Sequence, residues 1–473
     1  MAKEKHIQHL LWRAGFSEKP EIINQFSRQS IKKNVKQLLK DSESFETIDV
    51  VDKMDIYSEL QAMKKDTLMT TEQRRKQLNK MVKEEEGALN IAWIDKMIDS
   101  KAVLREKMAL FWHGHFACRT RNPLFAQHYL NTIRQYSLGK FGDLLMAVSK
   151  EPAMLQFLNN QQNKKRSPNE NFAREVMELF TLGRGNYSEH DVKEAARAFT
   201  GWEFDRRENG FFFNTRQHDF DSKEFLGKTG KFDGEDIIKM ILAKNETANF
   251  IVTKIYKNFV NEQIDTKIIQ ELSEYFYKND YDIADLMETI FTSSWFYDAK
   301  NIGSHIKSPV ELLVSLQRST GAHFVEKQSL LFIQRVLGQV MLYPPNVAGW
   351  AGGKNWIDSS SLLFRMQLPY LAFNNSIVKT VAKSDGDVNT DFQTKKGKKN
   401  TLETSMNWDV FSKQFAQENR KELLDELEEY FLQVAISEEL KKGFIAKMEK
   451  ESQPEAIKKM VLALMMLPEY QLC

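Results

Sequence analysis

Residues 111–116, FWHGHF, set two of the chain's nine histidines two positions apart, around a glycine and among aromatic rings. Neutral imidazole can ligate a borderline divalent ion, or move a proton near neutral pH when no metal is held. On a regular helix, His113 and His115 would point about 200° apart, so a shared metal requires irregular backbone at Gly114. A second polar group lies in SPNENFAREVMELFTLG, residues 167–183, where Asn171, Glu175 and Glu178 form one row of a helix. The opposite arc carries Phe172, Ala173, Val176, Met177 and Phe180. A third is the neighbouring pair His218–Asp219 in NTRQHDFDSK. If these segments converge, His113, His115 and Glu175 would hold a divalent metal ion that activates water for hydrolysis. Without metal, a glutamate would act as general base and a histidine as general acid. The catalytic candidates are therefore His113, His115, Glu175, Glu178, His218 and Asp219.

Each group also has a plainer explanation. A charged helix face usually meets solvent, and histidines among aromatic rings are usually core or helix-end residues. An Asp beside a His commonly supports a turn by accepting backbone hydrogen bonds. HExxH and Cys/His zinc spacings are absent. FLGKTGKF lacks the first glycine of a phosphate loop, since position 222 is Ser222, and there is no GxSxG.

A different chemistry is suggested by YPPNVAGWAGGKNWIDSSSLLFR, residues 343–365. Its prolines and glycines force a compact irregular loop that carries Trp350 and Trp356, followed by a helix capped at Asp358 or Ser359. Tryptophan faces can stack on a saccharide or peptide, or can plug a loop onto the core. Asn171, Trp202, Trp350 and Trp356 are the binding candidates. The alternative to an enzyme is thus a binding or assembly protein that holds a glycan, peptide or partner protein.

The elements that must position these residues are mainly helical. Apolar residues recur at three- and four-residue spacing from HIQHLLWRAGF to the C-terminal MVLALMMLP. Thr70 with Gln73, Ser188 with Asp191 and Asp233 with Asp236 mark helix starts. Ser167, Pro168 and Glu170 suggest a capping box for the 168–182 helix, and Arg174 would reach Glu178 at i,i+4. The aromatic runs and glycines of 211–232 predict an inserted β-hairpin. The expected fold is mainly α, a large multi-helix orthogonal bundle with that small hairpin. The expected units are a main domain over 1–382, a polar loop or linker over 383–405, and a C-terminal helical subdomain over 406–473 packed on the main domain.

Composition narrows the function classes. Of 473 residues, 67 are Lys or Arg and 65 are Asp or Glu, and a net charge of +2 gives no electrostatic footprint for nucleic acid. Cys118 and Cys473 are too few for a disulfide framework and read as free thiols. No apolar run of about 18 residues predicts a membrane span. The N-terminal MAKEKHIQHLLWRAGF lacks a signal-peptide core, so the expected location is cytoplasmic, or exported if the N-terminus is processed.

In chain order, HLLWRAGF (9–16), FWHGHF (111–116), DLLMAVSKEPAM (143–154), PNENFAREVMELFTLGRGNY (168–187), EAARAFTGW (194–202), the HD pair at 218–219, FLGKTGKFDGEDII (225–238), KSPVELL (307–313) and PPNVAGWAGGKNWI (344–357) span nearly the whole chain. Together they resemble the bacterial family catalogued as domain of unknown function 1800. The resemblance implies a mainly helical protein, and as partner a protein of the alkaline phosphatase and sulfatase-like superfamily. It brings no established catalytic residues. The family's motif positions include His113, His115, Asn169, Glu170, Asn171, Glu175, Glu178, Trp202, His218 and Asp219, which adds weight to a shared polar site.

Overall fold

Helix starts form where the polar signals stand. Thr70 Oγ1 accepts from the Gln73 amide at 3.2 Å and Gln73 Oε1 accepts from the Thr70 amide at 2.7 Å, opening the helix Thr71–Asp99. Equivalent reciprocal caps open Glu189–Ala198 and Gly234–Leu242. Each cap satisfies amides that the first turn leaves without partners. The computed structural model describes residues 2–54, 56, 61, 69–205, 210–378, 400–415 and 417–473. Among these the chain is mainly helical, and its sheets are small two-stranded antiparallel pairs.

The β insertion is two hairpins. Trp202–Asp205 pairs with Gly210–Phe213, so its first strand begins before the expected 211, and Lys223–Phe225 pairs with Lys228–Gly230. Leu226 and Gly227 both have positive φ, the geometry of a two-residue turn whose twist matches its strands.

The core runs through the molecule. Trp93, Trp112, Phe116 and Phe141 are buried together with Phe172, Phe180 and Tyr256. One helix is unusual. Val103–His115 buries Arg105, Glu106 and Lys107 along with its apolar residues. Each of these groups is hydrogen-bonded: Arg105 donates to the carbonyls of Ser42 and Arg134, Glu106 accepts from the Arg134 guanidinium at 2.8 Å and from Trp93 Nε1 at 2.9 Å, and Lys107 donates to Glu311. Buried charges persist only when compensated in this way.

Of the expected linker, 383–399 lies outside the described residues. Residues 400–405 pair with the main body: Asn400–Thr401 with Ile377–Val378, and Thr404–Ser405 with His323–Phe324. The last helices return to the first. Gln433 Nε2 donates to Gln8 Oε1 at 2.8 Å, Tyr430 donates to the Ser319 carbonyl at 2.6 Å, and His305 and Cys473 exchange backbone hydrogen bonds.

Candidate functional site

The segment 171–181 begins as α-helix and changes at Val176 to a π-helix, Val176–Thr181. Its signature is the five-residue step: the Leu182 amide donates to the Met177 carbonyl at 2.8 Å and Thr181 Oγ1 to the Val176 carbonyl at 2.6 Å. A π turn carries one residue more than an α turn and often accompanies a functional site. Carbonyls in the last turn of a helix lack intrahelical donors and carry partial negative charge. Here two of them are met by side chains. The Leu179 carbonyl accepts from Lys254 Nζ at 3.0 Å, and the Phe180 carbonyl accepts from His115 Nε2 at 3.0 Å.

That second bond assigns the His115 tautomer. Nε2 must carry hydrogen to donate to a carbonyl, so Nδ1 is an acceptor, and Lys254 Nζ lies 3.2 Å from it. Burial, then the Lys254 charge, holds His115 well below the usual histidine range, against the raising effect of the Phe180 hydrogen bond. Burial pushes Lys254 down to about 8. Lys254 comes from the helix Asn245–Phe259, which packs against the π segment.

KSPVELL becomes the start of a wholly buried helix, Pro309–Thr320. Ser308 caps it, and Glu311 returns the bond by accepting from the Ser308 amide at 2.6 Å. The same carboxylate accepts from Lys107 Nζ and lies 3.2 Å from His305 Nε2. Burial alone would raise the Glu311 carboxyl, but Lys107 and His305 outweigh it and hold the group well below its usual range. Glu311 is thus a cap and the anionic centre of a buried cluster.

The loop 343–358 closes over these groups. Gly349 has φ +75°, and a Cβ there would stand 2.3 Å from the Gly114 carbonyl oxygen. Glycine at 349 therefore lets the loop backbone lie directly on the 103–115 helix. Trp350 then stacks on His113, with ring centroids 5.5 Å apart and planes 25° apart. Asp358 and Ser361 exchange side-chain-to-amide bonds at 2.9 Å, opening the helix Ser359–Phe373.

Between the loop and the helices lies a cavity of about 680 Å³. Trp350, Trp356 and Phe111 supply its flat apolar walls, and His115, His305, Asn258 and Asn355 are among its polar ones. Four lysines (Lys107, Lys254, Lys257 and Lys354) face two glutamates, Glu262 and Glu311. Its charge is therefore cationic in balance, although that of the whole chain is nearly neutral. Among the described residues, no helix is long and apolar enough to cross a membrane.

The model of the family described as "Protein of unknown function (DUF1800)" matches residues 9–472. The chain belongs to this family. No curated protein and no solved structure matches it.

In this DUF1800 protein, His115, Trp350 and Trp356 line the cavity together. His113 lies behind them in the core. Its Nε2 accepts from the Leu342 amide at 3.1 Å, Trp93 and Trp350 pack on its ring, and burial lowers it to about 4. The helix stays regular through Gly114, so the two imidazoles diverge. Both His115 nitrogens are hydrogen-bonded, and among the described residues no group of three His, Cys, Asp or Glu is placed to hold a metal ion.

The carboxylate row has other partners. Glu178 accepts from Arg184 at 2.6 Å and from Tyr187 at 3.2 Å, and the Arg184 bond lowers it even as burial raises it. Glu175 is raised by burial and by Glu178. Arg174 pairs with Glu170 and Glu189, not with the expected Glu178. The expected capping box is also replaced. Asn169 Oδ1 accepts from the Asn171 amide at 3.0 Å, while Asn163 Oδ1 holds the Asn169 amide at 2.9 Å. The helix starts at Asn171, with Asn163 holding the Asn169 amide that Ser167 would have capped. The Asn171 side chain donates to the Leu158 carbonyl.

Trp202 is buried among Phe172, Phe199 and Phe211. His218 Nδ1 donates to the Thr200 carbonyl at 2.8 Å. Asp219 accepts from Arg197 at 2.7 Å and from the Asp221 amide at 2.9 Å, tying the second hairpin to the 189–198 helix. Lys107, Lys254, His305 and Glu311 are functional candidates that stand outside the site residues singled out from sequence. Two of them left a trace: Ser308–Glu311 is an S-x-x-E pattern, and Lys107 sits in a charged triplet within an otherwise apolar helix.

Proposed function

We propose that the cavity beneath the Trp350/Trp356 loop binds a small ligand that combines an anionic group with a flat apolar face, and that acidic saccharides are its ligand class. One observation carries this reading: two tryptophans and four lysines line the same cavity. Aromatic faces suit the C–H face of a sugar ring, and lysines in a partly dehydrated wall attract an anion more strongly than they would in water. The lining combines flat apolar faces with convergent polar and charged groups, which fix the orientation of a small ligand. A hydrolytic reading through Glu175, Glu178 and Asp219 has less support, because arginines hold Glu178 and Asp219 and none of the three lines the cavity.

The test is a tryptophan-fluorescence titration with acidic oligosaccharides and their neutral counterparts, on the wild type and on Trp356→Ala. Acidic members should change the emission and bind roughly ten times more tightly than neutral ones, the gain expected of one well-placed charge contact. Trp356→Ala should weaken them. If acidic and neutral members behave alike and the variant changes nothing, the cavity does not have this role.

A further inference from the structure

We propose that Lys254 is a nucleophilic amine, and that the ligand the cavity accepts is an anionic aldehyde or ketone which Lys254 captures as an imine. This rests on the cavity being a ligand site and adds the chemistry that occurs there.

The geometry is that of an oriented amine. Two acceptors, the Leu179 carbonyl at 3.0 Å and His115 Nδ1 at 3.2 Å, lie within reach of Lys254 Nζ. A neutral amine has two N–H bonds and one lone pair. With both N–H groups directed to these acceptors, the lone pair is left for a group arriving from the cavity that Lys254 lines. No carboxylate is bonded to Lys254 among the described residues; its contacts are a carbonyl, an imidazole and the ring of Phe250 at 4.6 Å. A lysine kept for its charge would be expected to face an acid, as Lys107 faces Glu311. Burial in these surroundings raises the fraction of uncharged amine, the form that attacks carbonyls, above that of an ordinary lysine.

The step balances without another reactant. The Nζ lone pair forms a bond to the carbonyl carbon while the C=O π pair moves to oxygen. His115 Nδ1, free of hydrogen in the tautomer set by Phe180, takes one proton from the nitrogen and passes it to that oxygen. A second proton leaves nitrogen for the same oxygen, water departs, and the C=N bond forms. His115 is a positioning and proton-transfer partner, and Lys257 and Lys354 supply cations for the ligand's anionic group.

Pyridoxal 5′-phosphate tests this, because it joins a flat ring, a phosphate and an aldehyde. The full-length protein is incubated with it at pH 8, reduced with borohydride and mapped by peptide mass spectrometry. At that pH about half of an amine with pKa near 8 is neutral, against under about 1 % for an ordinary lysine. Lys254 should therefore be labelled roughly tenfold or more above Lys257, the exposed lysine on the same cavity wall. Lys254→Arg should abolish that label, and His115→Gln should slow labelling and shift its pH profile. Lys254 labelled no more than Lys257 in the wild type overturns the proposal whether or not the variants fold. Pyridoxine 5′-phosphate, which lacks the aldehyde, separates the two readings. If it quenches tryptophan emission while no imine is trapped at Lys254, the cavity binds anions and the amine is not a nucleophile.

Discussion

Gly349→Ala tests the contact that seats the tryptophan loop. The added Cβ would stand 2.3 Å from the Gly114 carbonyl oxygen, at a φ of +75°. Holding an L-residue in the left-handed region costs about 1–2 kcal/mol. Van der Waals contact between carbon and oxygen needs about 1 Å more than the space available, and a close-packed interior has no slack to give it. The loop must therefore lift from the 103–115 helix, and with it Trp350 from His113. Loss of an aromatic pair adds about 0.5–1.5 kcal/mol, for a total of about 1.5–3.5 kcal/mol. Gly338→Ala is the control. It has φ +84° at the end of the helix Gln328–Leu337, with nothing within 4 Å of an added Cβ, and should cost only the backbone term of about 1–2 kcal/mol. Urea unfolding followed by far-UV circular dichroism gives both values, and the emission difference from a Trp350→Phe reference reports whether the loop has moved. If Gly349→Ala falls within about 0.3 kcal/mol of Gly338→Ala and emission is unchanged, the close approach does not hold the loop.

Other perturbations probe the supports around the cavity. Glu311→Gln removes the anion from a buried pair and should cost about 3–5 kcal/mol. Because the folded carboxyl is held below its usual value of 4.5, its stabilisation is full above that pH and is lost as pH falls through the folded value. The gap between wild type and Glu311→Gln should therefore narrow in acid; a gap constant from pH 7 to pH 3 would contradict the pairing. Asn169→Ala should cost about 0.5–2 kcal/mol by uncapping Asn171, while Ser167→Ala should be close to neutral; the reverse order in thermal melts would restore the cap expected from sequence. By NMR, His115 should titrate well below the ordinary histidine range, whereas His128, raised chiefly by its hydrogen bond to Glu151, should titrate above 6.5. The stabilisation from His128 is full below 6.5 and is lost as pH rises through its folded value, so an unshifted His128 titration would remove that bond from the account.

Helices were legible because their signals are local. Thr70 with Gln73 and Ser188 with Asp191 cap where their spacing predicts. The start at 167–171 differs from the expected cap because the winning partner, Asn163, belongs to the preceding turn. The loop 343–358 was legible as a compact unit, and both its tryptophans reach the cavity. Lys254 was invisible as a site residue. Its partners, His115 and the Leu179 carbonyl, are 139 and 75 positions away, and a π turn is not readable from apolar periodicity. His113 and His115 look equivalent in sequence; a two-residue step on an intact helix sends one inward and the other to the cavity wall.

The turn at Val176–Thr181 holds a single surplus residue, and that surplus sets the angular phase of everything after it. Deleting one residue there would let the segment rewind as ordinary α-helix and swing the carbonyls of 179 and 180 by about 100°. Lys254 and His115 would lose their anchors in one stroke. The proton arrangement in the cavity is therefore governed by a winding defect in a neighbouring helix, one that shortening the chain by a single position would erase without altering any side chain that faces the ligand.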